Sequence, residues 1–437
     1  RQWCKQNELQ PSPGDAIIRQ NYGKQHIRFW MYVHRDFYEK MHAFFRDTGV
    51  EVPINANNWY AWSWELPPQA RLDFMDVHHY YGGDQVGPAS GVGGIWLAQP
   101  PTRGEGPWSK MAGAAVYGKP LTISECGQCP PKTFRSAYYP AFAAVACFQG
   151  WDGITGYAYS QSARPRGDLS GWANSAFEWE SDPATIAALL PAALIYRRGD
   201  VRPAQQTVAM KLPEAEFYVL RHSENRNLQH YNTPWFQSAI EKHRVVVTLG
   251  DEMPEGLEPA ETRTPEEAAT YAPEGTELRA DTGELWRDWE RVVGTIDAPR
   301  SQVCYGLLGA LKAPLKTKDV TFEIRTEFAT VAVSSLTDAP IVSSKRLLLT
   351  AVARAEATDM VFDLTRTAVV SRGKGPMIAE PVVGRVTFRT AAPRLTAYAI
   401  TQEGERGEAV PVTVNGGRAA IELKPGHKTL LYEIVAE

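Results

Sequence analysis

The chain reads as an α/β region followed by an all-β region (α/β plus all-β), and three observations predict it. Helix-like and strand-like runs alternate over residues 1–200, the pattern of a parallel sheet. Beyond them, short β runs divided by Gly, Pro, Asp and Asn turns take over, the pattern of an antiparallel sandwich. The strand-like runs of the first region end in polar and aromatic clusters, and parallel α/β folds carry their chemistry at that end. The expected domains are residues 1–200, a β-rich domain over 201–345 with an acidic loop at 251–290, and C-terminal sandwich strands over 346–437.

In chain order, FWMYVHRDFYEKMHAFFRDTG spaces Phe37, Met41, Phe44 and Phe45 at i, i+4, i+7 and i+8. That spacing predicts an amphipathic helix, and Gly49 closes it. VEVPINANNW follows as a short predicted strand with Asn55, Asn57, Asn58 and Trp59 at its end. LDFMDVHHYYGG is the next strand, PWSKMAGAAVY a helix, and KPLTISE a strand. AYYPAFAAVACFQG is a helix stopped by Gly150, and GITGYAYS a strand. SDPATIAALLPAALIYRRGD is a helix with Asp182 as N-cap and Pro183 in its first turn. The later runs VVVTLG, VTFEIRTEFATVAVSSL, KRLLLTAVARA, GRVTFRT, RLTAYAI, VPVTV, AAIEL and TLLYEIV supply the sandwich strands.

A net charge of −4 on 437 residues gives no basis for a nucleic-acid partner. Thirteen Trp, 18 Tyr and 15 Phe supply rings for a core and equally faces on which sugars stack. No apolar run approaches the roughly 20 residues needed to span a bilayer, so no membrane partner is expected. The chain opens RQWCKQNELQ, polar and without an initiator Met, and is expected to be processed, excised or incompletely represented. Five scattered cysteines form no disulfide framework.

GKPLTISECGQCPPK supports two incompatible readings. Cys126-x-x-Cys129 has the spacing of a thiol redox centre or half a zinc site. A redox centre needs its first cysteine at a helix N-terminus, whereas here Pro130-Pro131 intervene. Zinc needs two further ligands at suitable spacing; His78-His79 are adjacent in a strand and point to opposite faces. The pair is therefore expected to be two small rim residues or a local disulfide, with no metal and no cofactor.

Glu125 is the first ionisable group after the uncharged run Leu121-Thr122-Ile123-Ser124. Its bland reading is a surface carboxylate. Neighbouring strand ends, however, carry His78, Tyr80, Tyr81, Asn57, Asn58, Tyr157 and Tyr159, all able to hydrogen-bond sugar hydroxyls and a carboxylate. Glu8, preceded by Asn7, offers a second acid. Two carboxylates at strand tips are the minimum apparatus of glycoside hydrolysis: one ionised, one protonated.

Asn7-Glu8 and the later strand ending Ser124-Glu125 resemble the clan A retaining glycoside hydrolases. GKPLTISE through FQGWDGITGYAYS, with the distal TIDAPRSQVCYG, FATVAVSSL and KRLLLTAVARAEATDM, is similar to cellulase-like bacterial members of that clan. The resemblance implies a (β/α)₈ TIM barrel followed by β-sandwich domains, of which this chain holds strands 4–8. It implies Glu8 as acid/base, Asn7 on the sugar 2-hydroxyl, Glu125 as nucleophile, and MDVHHYY as the sixth strand with His78 and Tyr80 beside the nucleophile. It also implies an oligo- or polysaccharide substrate and a secreted or periplasmic setting. The first three β/α units are absent from this sequence. They are expected upstream, or from a companion chain or second copy completing the barrel.

Trp59, Trp62 and Trp64 fall in a rim loop, where they either stack on sugar rings or pack against helices. Trp172 sits in a long loop that is able to close over a substrate. Asp152 reads as a turn or capping residue, and Asp76 as an orienter of a neighbouring His or Arg. No G-x-S-x-G elbow, Walker loop or G-x-G-x-x-G after a strand is present. The alternatives are a non-catalytic carbohydrate-binding or scaffolding protein on a degenerate barrel, and a thiol oxidoreductase using Cys126 and Cys129.

Overall fold

The computed structural model describes residues 5–6, 24–59, 61–81, 96–101, 106–161, 177–218, 230–231, 233–259, 271, 273 and 275–437. Lys5 and Gln6 are helical; the other residues of CKQNEL, Asn7 and Glu8 among them, lie outside the described residues.

Helix α1 spans Lys24–Asp47, and Gly49 beyond it takes the left-handed conformation at φ 87°. The helix is where the sequence places it, but its docking face is not. Phe37 and Phe44 are 57% and 56% exposed. The inward stripe is instead Ile27, Met31, His34 and Tyr38, which keeps the helical period but is rotated by about 100° around the axis from Phe37 and Phe44. Its polar members are accommodated because a polar cluster, described below, lies beneath them.

The strand expected over VEVPINANNW is also corrected: residues 51–59 are irregular. Ile54 N donates to Asp73 Oδ2 at 2.7 Å, and Asp73 N donates back to Ile54 O. The segment is pinned to the loop before β1 rather than to a ladder, and Pro53 has no N–H to give one.

Strands β1 (Met75–Tyr80), β2 (Leu121–Gly127) and β3 (Gly153–Gly156) form a parallel sheet in that order. Strand β3 covers only the first half of GITGYAYS. Helix α2 (Arg135–Gln149) links β2 to β3 and stops at Gly150, φ 69°. Helix α3 (Pro183–Arg198) opens on Asp182, whose side chain accepts from Thr185 N, and closes on Gly199. A second parallel pair, β4 (Thr207–Leu212) and β5 (Arg244–Leu249), is bridged by helix α4 (Pro234–Lys242). Val116 bridges in parallel to Val247, tying this pair to the turn before β2. Among the described residues these strands form small parallel sheets and no closed barrel.

The rest is antiparallel. Nine strands run in the order Arg406–Val410, Leu395–Ile400, Leu431–Ala436, Arg346–Val352, Ala329–Ser335, Ser301–Gly306, Val293–Asp297, Leu285–Asp288 and Glu277–Arg279. Ala329–Ser335 pairs with Arg346–Val352, so one sheet continues through residue 345. Five further strands, Leu315–Lys316, Val320–Ile324, Gly384–Arg389, Arg418–Leu423 and Val412–Asn415, form the second large sheet. Val331, Val333, Leu349, Ile434, Phe322, Phe388 and Ile421 fill the core between them.

Two buried arginines lock the halves together. Arg135 of α2 is bidentate to Asp182 at 2.6 and 2.7 Å and also donates to Ala355 O. Arg287 is bidentate to Glu241 of α4 at 2.8 and 2.6 Å and reaches the carbonyls of Leu97 and Gln99.

Candidate functional site

Parallel pairing of β1 with β2 sets His78 opposite Glu125, after a bulge between Asp76 and His78. Alternation along β1 then sends His78 and Tyr80 to one face and His79 to the other. His79 is buried, and its ring is pushed down to about 3, mainly by loss of solvent.

Glu125 has a side chain 27% exposed, so it is reachable yet walled in. The Tyr80 hydroxyl donates to Oε2 at 2.6 Å, and His78 Nδ1 lies 3.3 Å from the same oxygen. Among the described residues, Oε1 takes no hydrogen bond. Burial raises the Tyr80 phenol, and the bond to Glu125 raises it further, so Tyr80 remains a neutral donor. Neither described partner is a permanent cation.

Behind His78 stands a relay. Its Nε2 is 3.0 Å from Ser124 Oγ, and the Ser124 N–H donates to Asp76 Oδ1 at 3.0 Å. With Nε2 aimed at Ser124 Oγ, the neutral ring carries its proton there and turns a bare Nδ1 toward Glu125. Nδ1 accordingly has no aligned hydrogen bond. Burial lowers the His78 pKa, opposed by the negative charge of Glu125. Asp76 reaches His78 only through Ser124.

An aromatic wall surrounds the carboxylate. The Phe177 ring packs 4.8 Å from Tyr80 and 5.6 Å from Tyr157. The Tyr157 hydroxyl accepts from Gln161 Nε2 at 2.5 Å. The Trp59 ring is 6.2 Å from His78 and 55% exposed. Trp64 is buried against His34. Asn57 binds Trp59 N and Glu65 rather than Glu125. Asn58 is exposed, and no described hydrogen bond links it to Glu125. Asn7, Glu8 and Trp172 lie outside the described residues. Asp152 accepts from Leu121 N, a structural role.

Phe177, Ser124 and Glu65 were not singled out from the sequence as site residues. Ser124 was visible as the residue before Glu125, but its role requires knowing the register of two strands. Cys126 and Cys129 are buried free thiols, and loss of solvent raises Cys126 well above an ordinary thiol. Among the described residues, no cluster of three His, Cys, Asp or Glu is arranged to hold a metal ion. No described helix is long and apolar enough to cross a membrane. Comparison with family models, curated proteins and solved structures finds nothing that matches the chain.

Proposed function

We propose that the chain is the carboxylate-bearing part of a retaining β-glycosidase acting on oligo- or polysaccharides. Its parallel strands would belong to a (β/α)₈ barrel. The observation that carries this reading is the convergence of Tyr80 and His78 on Oε2 of a partly exposed Glu125. One oxygen is held by the neutral Tyr80 phenol, with the His78 ring beside it, while the other is open to attack an anomeric carbon. The exposed rings of Trp59, beside His78, and of Tyr159, just past β3, supply stacking surfaces.

In this mechanism Glu125 displaces the leaving group to form a glycosyl-enzyme. Glu8 protonates the departing oxygen and then deprotonates the water that releases the sugar. Retention asks for a carboxyl separation of ~5–5.5 Å. The exposed row Trp30, Phe37 and Phe44 along α1 is a surface of the kind a neighbouring β/α unit covers, which supports the larger barrel.

The test is turnover of a panel of p-nitrophenyl β-glycosides, with the anomer of the first product read by NMR. A 2-deoxy-2-fluoro glycosyl label should be trapped on the peptide containing Glu125. Glycan binding without turnover or labelling favours the non-catalytic carbohydrate-binding reading instead.

A further inference from the structure

Beneath α1 lies a second carboxyl that the proposed mechanism does not use. Glu65 is 4% exposed, and its Oε2 is buried with no hydrogen-bond partner among the described residues. Oε1 accepts from Asn57 Nδ2 at 3.3 Å. The other end of that amide, Asn57 Oδ1, accepts from the Trp59 N–H at 2.8 Å. Lys110 Nζ donates to Trp59 O at 3.0 Å. Both backbone polar groups of Trp59 are therefore clamped, one of them through Glu65, and its ring is presented beside His78.

We propose that Glu65 is a positioning residue for the Trp59 platform, acting by dictating which way the Asn57 amide points. This rests on the reading of the Glu125 pocket as a sugar site. An ionised carboxylate only accepts, so it takes the NH₂ end of Asn57 and leaves Oδ1 for Trp59. A protonated carboxyl offers a donor as well as an acceptor, suits either end of the amide, and no longer enforces the clamp.

The groups facing Glu65 leave its charge uncompensated. His34 Nδ1, from α1, is 3.9 Å away, and burial lowers its pKa, so it is neutral when Glu65 ionises. Tyr38, also from α1, is pushed up to about 12 by burial and then by Glu65. Asn57 and the buried Trp64 are uncharged. With no cation opposite it, Glu65 is raised by burial to about 7. The clamp is thus enforced above that pH and relaxed below it.

The experiment uses the full chain labelled with 5-fluorotryptophan, the Trp59 resonance being assigned with Trp59→Phe. In the wild type this resonance should shift across a midpoint near 7. In Glu65→Gln, whose amide also offers both a donor and an acceptor, it should stay at its low-pH position throughout. On the best-cleaved p-nitrophenyl β-glycoside, Glu65→Gln should raise KM by up to about tenfold, the scale of losing one aromatic contact, with kcat within about twofold. Asn57→Ala should reproduce the KM change. A Trp59 signal that ignores pH, or titrates identically in Glu65→Gln, overturns the proposal, because His78 is intact in that variant and would be the cause. Titration through Glu65 in a protein that cleaves no glycoside leaves the clamp standing and removes the hydrolase reading.

Discussion

Glu433 in the antiparallel region and Glu125 in the parallel region both sit on strands, and their surroundings could hardly differ more. Glu433 is 5% exposed and gripped by two arginines, Arg406 and Arg346. Those bonds, Arg406 first, hold its carboxyl at about 2. Glu125 is partly open and touched by a phenol and an imidazole. A permanent cation quenches the reactivity of a carboxylate; a neutral donor such as the Tyr80 phenol orients it and leaves its lone pairs basic. The sandwich uses carboxylates as fasteners, whereas the parallel strand ends keep one as a reagent.

The most severe way to break this contrast is Glu125→Gln. If the carboxylate is a reagent, turnover of an aryl β-glycoside should fall at least ~10³-fold with KM little changed. The melting temperature should stay within a few degrees, because no ion pair is lost. Wild-type turnover in this variant would return Glu125 to the status of a surface acid.

Arg135→Ala tests the fastener class where it is most buried. It strands Asp182 in a site only 3% exposed, and breaking such a pair costs about 3–5 kcal/mol. Chemical denaturation should lose that amount, together with docking of α2 and α3 onto the sheet at Ala355. A loss below about 1 kcal/mol would mean the pair is not a fastener.

The elements of the parallel region and Glu125 at its rim were legible in the sequence, the arginine grip on Glu433 was not, and the illegible part has a physical cause. LTISE, AYYPAFAAVACFQG and SDPATIAALLPAALIYRRGD declare themselves through period, caps and stop signals, all local properties. Glu125 stood out because four uncharged residues precede it. Local patterning did not reveal that Phe37 and Phe44 would be exposed, since the stripe at Ile27, Met31, His34 and Tyr38 has the same period and prevails only through partners outside the helix, Trp64 and Glu65 among them. VEVPINANNW carries strand-forming residues, yet Asp73 outcompetes a ladder for its backbone. Phe177 escaped notice because it belongs to no run and meets Tyr80 only through the packing of strand ends.

Glu433→Gln sharpens the comparison from the fastener side. Because the folded carboxyl sits at about 2 and an ordinary glutamate near 4.5, its stabilisation is present above 4.5 and is lost as pH falls from there toward 2. Both arginines are half exposed, so a loss of about 1–2 kcal/mol near neutrality is expected. Thermal unfolding from pH 6 to 2.5 should show a shallower decline in the variant. Parallel curves would place the acid sensitivity elsewhere.

Ser124→Ala probes the reagent side with the smallest perturbation. The hydroxyl draws the His78 proton to Nε2, so the neutral ring faces Glu125 with a lone pair. Without that acceptor, the proton is free to move to Nδ1 and be donated to Oε2, making Glu125 a better-solvated and less nucleophilic carboxylate. Turnover should fall only about three- to tenfold. In the wild type the rate should drop on the acid side once His78, held below its ordinary value, protonates and pairs with Glu125. In the variant that limb should flatten, since the ring already donates to Oε2 when neutral. Nitrogen-15 spectra of the His78 ring report the tautomer directly. An Nε2-protonated ring that persists in Ser124→Ala would mean the relay through Asp76 does not set the state of the carboxylate, and the pocket's reactivity would then rest on Tyr80 alone.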